Sequence, residues 1–537
     1  MCTAACTLCC ADALAGSAVA LTAAAAPGAT KLGTAGLPEV LATVWLVVFE
    51  TSRLVLRLAV LAVSFRFLVT AARGATPIAR DERRELPPGD RPRVTVQLPL
   101  RNEYHVARRA IENACALDYP TDRLEIQVLD DSDDATRDRV ATIVAQLRSA
   151  GHDIKHLTRP TPTGYKAGAL NLGLAQAGGD YVAIFDADCL PQPDFLRRVL
   201  PWFDSPDVGL VQGRWSFVNR DATLLTRVQA AVLDGMFVLD QHVAAQRNEA
   251  VQFNGTGGLW RRCCLEELGG WEESALTEDA ELSLRAHLHG WRLHHLRQVE
   301  LPSELPMEMA AFRIQQARWA DGTAQVLRRG LRLVLGGRLT WGTKVALLLR
   351  LGRHLVYPLL LLSVIASPLT TMGVVPFFFT FGAPLNLAVL GLLVAALLGY
   401  HAVAARAAGL TGWGAIGLRM LWGLGVIPLA VGLSLRYTVS LLVGVCRRGG
   451  EFVRTPKAGS GGPDGPRYRP RWDPLVLVEL PLGAAIAVVG GMTLAWGAIV
   501  DGTLMLGSGV AIFGVGLASL PAPLGLRGGD QGQRPPR

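Results

Sequence analysis

The segment "DYVAIFDADCLPQPDF", residues 180–195, joins a short apolar run to two aspartates and then to two prolines. The run is rich in branched and aromatic side chains, which is typical of a buried β-strand, and it predicts a strand within residues 180–188. Proline cannot continue a central strand, so the strand is expected to end near Asp186 and Asp188. Two acids at the end of a buried strand require a physical explanation.

Four further segments have the same strand-like character, and helical periodicity lies between the first four strands in chain order. These segments are residues 93–99, 124–130, 153–159 and 208–215. Such alternation predicts an α/β fold, a mostly parallel sheet with helices on both faces. Ligands of open sheets of this kind bind beyond the carboxyl ends of the strands. Asp186 and Asp188 are therefore expected at the ligand-binding edge.

The spacing of these two aspartates suits a bound cation. Residues at i and i+2 of a strand point to the same side. Their oxygens are ligands of the kind that Mg²⁺ and Mn²⁺ prefer, and such an ion can bridge the oxygens of a diphosphate. By itself the pair is also compatible with simple turn or capping residues. The interpretation therefore depends on the rest of the chain.

Two more groups of acids accompany the pair. Asp130 and Asp131 end a second predicted strand, where carboxylates can hold a ribose or a base, or can belong to a solvated acidic loop. A helix is predicted to begin at Thr277, with Glu278 and Asp279 in its first turn. Acids at this position are stabilised by the helix dipole whatever the function is.

A last polar group lies in "RIQQARW", residues 313–319. On a helix, Gln315 and Arg318 share one face, and Gln316 and Trp319 share another. A packed surface is the simplest explanation of such a pattern. Only the whole set of motifs decides between packing and chemistry.

Eight motifs follow one another along the chain: "VQLPLRNE", "VLDDSDD", "GYKAGALN", "DYVAIFDAD", "VQGRWSFVN", "FNGTGGLWR", "TED" and "QQARW". In this order they resemble the motifs of the processive family 2 glycosyltransferases: cellulose synthases, hyaluronan synthases and especially the cellulose-synthase-like mannan and glucomannan synthases. The resemblance spans about residues 94–325 and implies a GT-A type nucleotide-sugar-binding domain. "GEFVRTPK", residues 450–457, resembles the gating loop that covers the active site of cellulose synthases.

The resemblance implies a role for each matching residue. Asp279 corresponds to the catalytic base, and Asp186 and Asp188 correspond to the pair that binds the metal and the diphosphate. The implied cofactor is Mg²⁺ or Mn²⁺. The remaining residues are implied to bind substrate: Asp130 and Asp131 near the nucleoside; Lys166 in the nucleotide pocket; Asn254, Gly255 and Thr256 below the acceptor; Gln315, Gln316, Arg318 and Trp319 at the diphosphate and the acceptor sugar; Thr455 and Lys457 in the gating loop; and Glu103 and Glu278.

The expected reaction is inverting transfer of a hexose from a nucleotide sugar to a β-linked polysaccharide. Such a transfer needs a base on the acceptor hydroxyl, stabilisation of the departing diphosphate and an acceptor held in line. The motif pattern favours β-mannan or glucomannan with GDP-mannose as donor. A cellulose-like β-glucan synthase using UDP-glucose, single transfer to a lipid, and a non-catalytic transporter or scaffold with a nucleotide-binding domain are the alternatives.

The composition predicts a protein of the membrane. Half of the 537 residues are hydrophobic, and apolar stretches near 354–372, 380–403, 474–499 and 503–524 approach the roughly 20 residues that a bilayer requires. The weaker region 39–70 is expected to cross once, and 415–445 is expected to be interfacial or re-entrant. The predicted organisation is an Ala-rich segment (1–38), a membrane region (39–72), a cytosolic catalytic domain (73–345), membrane and interfacial helices (346–445), a cytosolic loop (446–472), two membrane helices (473–525) and a flexible tail (526–537).

The distribution of charge predicts orientation and partners. Basic residues in 70–84 and 446–457 indicate that both segments face the cytoplasm, which predicts a multi-pass protein of the plasma membrane. The net charge of +8 suits contact with anionic lipid and with an anionic nucleotide. No nucleic-acid-reading motif accompanies this charge, so nucleic acid is not an expected partner.

Overall fold

The structure is a computed structural model, and it describes residues 37–75, 91–247, 249–371, 382–446 and 472–520. Within these ranges, residues 91–336 form a domain built on one sheet, and the helices before and after it form an apolar helical part. The predicted gating-type loop, including Thr455 and Lys457, lies outside the described residues, as do the first 36 residues and the tail.

The sheet contains seven strands among the described residues, in the order β3-β2-β1-β4-β6-β5-β7. Strands β1 to β4 run parallel in the order β3-β2-β1-β4, β6 is antiparallel to both of its neighbours, and β5 pairs in parallel with β7. The strands are β1 (Val94–Leu100), β2 (Leu124–Asp130), β3 (Asp153–Thr158), β4 (Tyr181–Ile184), β5 (Val208–Phe217), β6 (Gly258–Arg261) and β7 (Arg292–Ser303).

Helices connect and cover these strands and then continue into the apolar part. They are α1 (Leu37–Ala75), α2 (Ala107–Cys115), α3 (Thr136–Ser149), α4 (Tyr165–Ala175), α5 (Phe195–Val199), α6 (Leu224–Asp234), α7 (Gln241–Gln246), α8 (Arg262–Glu267), α9 (Glu278–Leu288), α10 (Met309–Gly336), α11 (Trp341–Leu351), α12 (Val356–Thr371), α13 (Gly382–Ala407), α14 (Trp413–Leu424), α15 (Val426–Gly432), α16 (Ser434–Cys446), α17 (Val476–Ala495) and α18 (Ile499–Ala518). A π-helical turn, Gly235–Asp240, joins α6 to α7.

Both faces of the sheet are buried, so even the polar residues of its central strands, such as Gln97 of β1 and Gln127 of β2, are enclosed in the core. On β1, Val94, Val96 and Leu98 enter a core shared with α2, α3 and α5. On the opposite face, α4 and α9 cover a second core around Trp260. Alternate residues of one strand therefore serve two different layers.

The predicted strands are confirmed with small changes of boundary. The strand within residues 180–188 is shorter than predicted, because it stops at Ile184 and the chain then turns, with the Cys189 amide donating to the Asp186 carbonyl at 2.9 Å. Two strands were not predicted. β6 is only four residues long and follows a glycine-rich loop, and the sequence of β7 is largely polar.

Five helices are long and apolar enough to cross a membrane within the described residues: Glu50–Ala75, Pro384–Ala407, Trp413–Gly432, Val476–Ala495 and Ile499–Ala518. A sixth candidate is the pair Trp341–Leu351 and Arg353–Leu369, which is bent by 52°. The region predicted to be interfacial, 415–445, thus contains one helix of spanning length, followed by α16, which packs along α10. The number of crossings and the domain boundaries remain predictions.

Candidate active site

The carboxyl ends of the central strands open into a cleft of about 190 Å³. Residues that follow β1, β2 and β4 form one side of this cleft, and the start of α9 and the first half of α10 form the other. Asp186, Asp279 and Arg318 line it together although they lie far apart in the sequence. The strand ends and the two helices therefore enclose a single polar cavity.

Lys166 is the central cation of the cleft. Its ammonium group donates to Asp186 Oδ1 at 2.6 Å and to the Gly255 carbonyl at 2.8 Å, and it lies 3.7 Å from Glu278 Oε1. Burial lowers the pKa of Lys166, but the charges of Asp186 and Glu278 outweigh burial and hold the pKa above its ordinary value. Lys166 therefore remains a cation at neutral pH.

The loop 254–256 passes between these charged groups. Gly255 has a φ of +83°, and a Cβ added there would lie 3.1 Å from Asp279 Oδ2. The Asp186 amide donates to Thr256 Oγ1 at 2.8 Å. The loop requires glycine for its conformation and for the close approach of the backbone to Asp279.

Asp279 lies in the first turn of α9, as predicted, with Thr277 as the residue that precedes the helix. Its Oδ1 accepts a hydrogen bond from the Ala280 amide at 2.7 Å. Burial, reinforced by the Glu278 carboxylate, raises the pKa of Asp279 to about 7. Lys166 and Arg318 oppose this shift. A carboxyl group with a pKa near the working pH is suited to accept a proton.

Helix α10 brings Gln315, Arg318 and Trp319 to the cleft opposite β4. Gly322 of α10 packs directly on Thr277, because a Cβ at Gly322 would lie 2.4 Å from the Thr277 methyl carbon. Thr277 is buried, and its hydroxyl oxygen has no hydrogen-bond partner. This close contact sets the distance between Asp279 on α9 and Arg318 on α10.

The far end of the cleft is lined by Asp131 and Tyr165. Arg159 forms an ion pair with Asp131 through two of its nitrogens, and it donates to the Tyr165 carbonyl at 2.8 Å. Tyr165 has a φ of 50°, which is uncommon for a residue other than glycine. Such conformations are concentrated at functional sites, where neighbouring contacts maintain them.

The sequence match covers the strands and helices that form this cleft. Residues 92–322 match the family described as "Glycosyltransferase like family 2". The matched segment, which is less than half of the chain, is thus similar to a family 2 glycosyltransferase domain. The domain has the GT-A fold, as the resemblance implied, with its mostly parallel sheet and helices on both faces.

Curated relatives agree with this assignment. The chain is 44% identical over 258 residues to glucomannan 4-beta-mannosyltransferase 2 from Arabidopsis thaliana, covering 47% of this chain and 48% of the relative. It is 39% identical over 288 residues to glucomannan 4-beta-mannosyltransferase 1 from Oryza sativa subsp. japonica, covering 52% of this chain and 54% of the relative. The chain thus spans about half the length of the curated relatives that it matches.

Among solved structures, the chain is similar to a mannosyltransferase from Pyrobaculum calidifontis in complex with GDP-Man and Mn²⁺. The two are 23% identical, the TM-score is 0.46, and the match covers 74% of this chain and 98% of that one.

Most of the residues predicted for the site line the cleft. The structure brings together Glu103, Asp131, Lys166, Asp186, Asp188, Asn254, Gly255, Thr256, Glu278, Asp279, Gln315, Arg318 and Trp319. Their individual roles remain predictions.

Two predicted residues point elsewhere. Asp130 is buried, its carboxylate accepts from the Ser132 amide at 2.9 Å, and it lies 3.0 Å from His156 Nε2. Gln316 accepts a hydrogen bond from the Tyr437 hydroxyl at 2.8 Å, so it faces α16. The expected contacts of Asp130 with a nucleoside and of Gln316 with a diphosphate are therefore not supported by this geometry.

Two further residues at the cleft were not predicted to be functional. Trp215 lines the cleft and contacts Phe237, with ring centroids 5.1 Å apart and ring planes tilted by 41°. Arg159 was not identified at all, although it holds Asp131. Trp215 could have been found from its motif "VQGRW", whereas no sequence signal marked Arg159.

Asp186 and Asp188 fit a divalent cation, because both carboxylates line the cleft and Asp188 is buried. Among the described residues, no group of three or more His, Cys, Asp or Glu side chains is arranged to hold a metal. Two carboxylates with the remaining ligands from phosphates and water is a common arrangement for Mg²⁺. An ion bound there would supply positive charge to a diphosphate.

Proposed function

We propose that this chain is a membrane-embedded, inverting glycosyltransferase that adds hexose units to a β-linked polysaccharide. Mannan or glucomannan is the proposed product, and GDP-mannose is the proposed donor. The catalytic domain is proposed to face the cytosol at the plasma membrane. This orientation is supported by the basic residues that flank the predicted helices.

One observation carries this proposal. A carboxyl group of raised pKa, a partly buried lysine and an arginine line the same cleft as the two aspartates that follow β4. The 44% identity over 258 residues to a glucomannan 4-beta-mannosyltransferase supports mannose as the sugar. A non-catalytic scaffold would have no need for the complete set.

Asp279 is the proposed base of the transfer. It accepts the proton of the acceptor hydroxyl, and the hydroxyl oxygen then forms a bond to the anomeric carbon of the donor. The bond between that carbon and the diphosphate oxygen breaks on the opposite face. An α-linked sugar nucleotide therefore gives a β-linked product.

Arg318 and Lys166 are the proposed cations for the leaving group. Both lie in the cleft with Asp186, and a guanidinium group can bind phosphate oxygens through two parallel hydrogen bonds. Charge that develops on the diphosphate is stabilised most strongly where donors are already fixed and water is scarce. Trp319, on the same helical turn as Arg318, offers a flat surface on which an acceptor sugar can stack.

The apolar helices give the polymer a route out of the cell. Helix α10, which carries Arg318, packs along α16, so the cleft adjoins the helical part of the molecule. A polysaccharide cannot cross lipid unless polar and aromatic groups shield it. We propose that these helices, with the bilayer, take the growing chain from the cleft.

The experiment that tests this function uses membranes containing the full chain. Radiolabelled GDP-mannose and UDP-glucose are supplied separately with Mg²⁺ or Mn²⁺, and any polymer is digested with mannanase or cellulase. Incorporation from GDP-mannose into mannanase-sensitive material is expected. Cellulase-sensitive material from UDP-glucose alone would establish a glucan synthase instead, and labelled lipid without polymer would establish single transfer.

A further inference from the structure

A buried side-chain amide forms hydrogen bonds with the start of the cleft loop 254–256 on the side away from the cleft. Gln241, the first residue of α7, is 2% exposed and is packed behind the wall of the cleft. Its Nε2 donates to the Gln252 carbonyl at 2.8 Å and to Asn254 Oδ1 at 3.2 Å. Its Oε1 accepts from the Gln252 amide at 3.2 Å and from Arg350 Nη1 at 2.9 Å. Both the nitrogen and the oxygen of this amide therefore have hydrogen-bond partners.

A second buried amide holds the same loop from the sheet. Gln212 of β5 accepts from the backbone and side-chain nitrogens of Asn254 at 3.3 and 3.0 Å. It also donates to the Gln252 carbonyl at 2.7 Å. Asn254 is thus fixed between Gln212 and Gln241, and its own position fixes the start of the loop.

The two ends of the loop are held by different groups. Gly255 and Thr256 contact Lys166 and Asp186 directly, on the side where the donor is proposed to bind. Asn254 depends on the two amides behind it. Because Gly255 lies against Asp279, displacement of Asn254 would change the space beside the proposed base, which an acceptor hydroxyl must occupy.

The same network reaches the apolar helices. Arg350 belongs to α11, the first arm of the bent pair. Asp240, the neighbour of Gln241, forms an ion pair with Arg66 of α1. These adjacent residues lie where a π-helical turn passes into α7, and π-helical turns occur frequently at functional sites. Helices α1 and α11 therefore contact the segment that positions Asn254.

We propose that Gln241 is a positioning residue for the acceptor: it fixes Asn254 relative to α11 and thereby sets the place of the acceptor end beside Asp279. This inference rests on the proposed function. Gln241 acts through Asn254 and has no proposed contact with the donor, so its loss affects transfer to the acceptor more than reaction of the donor with water.

The test measures two rates with the purified full-length chain in lipid nanodiscs. The first is release of nucleoside diphosphate without acceptor, and the second is incorporation of sugar into polymer, each with GDP-mannose and with UDP-glucose. For Gln241→Leu, incorporation is expected to fall about tenfold to 100-fold, because misplacement by an ångström has an effect of that order. Hydrolysis and the KM for the donor are expected to stay close to wild type.

Two further variants separate positioning from folding. Gln241→Glu keeps the shape and the acceptor for Arg350 but loses both donated hydrogen bonds, and the same change in the ratio of transfer to hydrolysis is expected. Gln246→Leu removes an exposed glutamine at the other end of α7 and is the matched control, with wild-type behaviour expected.

The outcomes are distinct. If Gln241→Leu and Gln241→Glu both keep the wild-type ratio, or lose both rates equally, the positioning role is wrong while the proposed function stands. If the wild-type chain reacts with neither donor, the proposed function fails and this inference fails with it.

Discussion

At the residue scale, Asp279 is the proposed base, and its replacement gives the sharpest single-residue prediction. Asparagine keeps the size of the side chain and an oxygen for the Ala280 amide but cannot take a proton. Transfer by Asp279→Asn is expected to fall about 10² to 10⁴-fold, the usual contribution of a general base. Donor affinity, measured by nucleotide-sugar binding, should change little.

The control for this variant is Asp122→Asn, which makes the same substitution at an exposed residue that does not line the cleft. It should retain full activity. Near-normal transfer by Asp279→Asn would exclude this residue as the base.

The raised pKa of Asp279 predicts how the reaction depends on pH. The base must be deprotonated, and its pKa is raised to about 7, so kcat/KM should increase with pH through neutrality. Glu278 contributes to the shift, whereas Lys166 and Arg318 oppose it. Glu278→Gln should therefore lower the pKa of Asp279 and move the increase to lower pH. An unchanged or upward-shifted profile, measured at saturating cation, would contradict this electrostatic account.

At the scale of elements, the contact between α9 and α10 determines whether the base and the arginine meet. Gly322→Ala places a methyl group 2.4 Å from the Thr277 methyl carbon, and one helix must move. Overpacking of this kind costs about 1–3 kcal/mol, so lower thermal stability and lower transfer are expected. Gly336→Ala on the same helix meets no atom within 4 Å and should be tolerated.

A rescue variant makes this prediction stricter. Thr277→Ala in the Gly322→Ala background removes the two shortest contacts and should restore part of the lost stability. Equal behaviour of Gly322→Ala and Gly336→Ala in thermal unfolding would show that this contact does not control the spacing of the helices.

A second contact between elements anchors α10 to α17. Arg313 is 1% exposed and pairs with Glu479 at 2.6 Å and Asp473 at 2.7 Å. Removing one member of a buried pair leaves an uncompensated charge and costs about 3–5 kcal/mol, so Arg313→Met should unfold at a markedly lower temperature. The double variant Arg313→Met, Glu479→Leu should recover much of that stability. A double variant no more stable than Arg313→Met would exclude this explanation.

At the scale of the whole molecule, the sequence predicted the parallel half of the sheet and the convergence of the cleft. The structure differs from the predictions in two respects: the direction in which some side chains point, and the presence of strands that are too short or too polar to be recognised from the sequence. Adjacent residues of a strand point to opposite faces, so Asp131 reaches the cleft while Asp130 points to His156. Likewise Gln315 and Gln316 project from different sides of α10. A motif of neighbouring residues does not state which member faces the ligand.

Some features have no local signal in the sequence. Strand β6 is too short for a period to be recognised, and it exists because it pairs with both β4 and β5. Gln241 lies in an ordinary helical segment, and its bonds to Asn254 and Arg350 join residues that are 13 and 109 positions away. Such contacts arise only from the tertiary arrangement.

The anomeric configuration of the product tests the central claim most directly, since in-line attack opposite the diphosphate requires inversion. Polymer made by the full chain in nanodiscs from an α-linked nucleotide sugar, analysed by NMR through its one-bond carbon–proton coupling at C1, should be entirely β-linked. An α-linked product would require a covalent intermediate or attack from the other face, and it would contradict the assignment of Asp279 as the base.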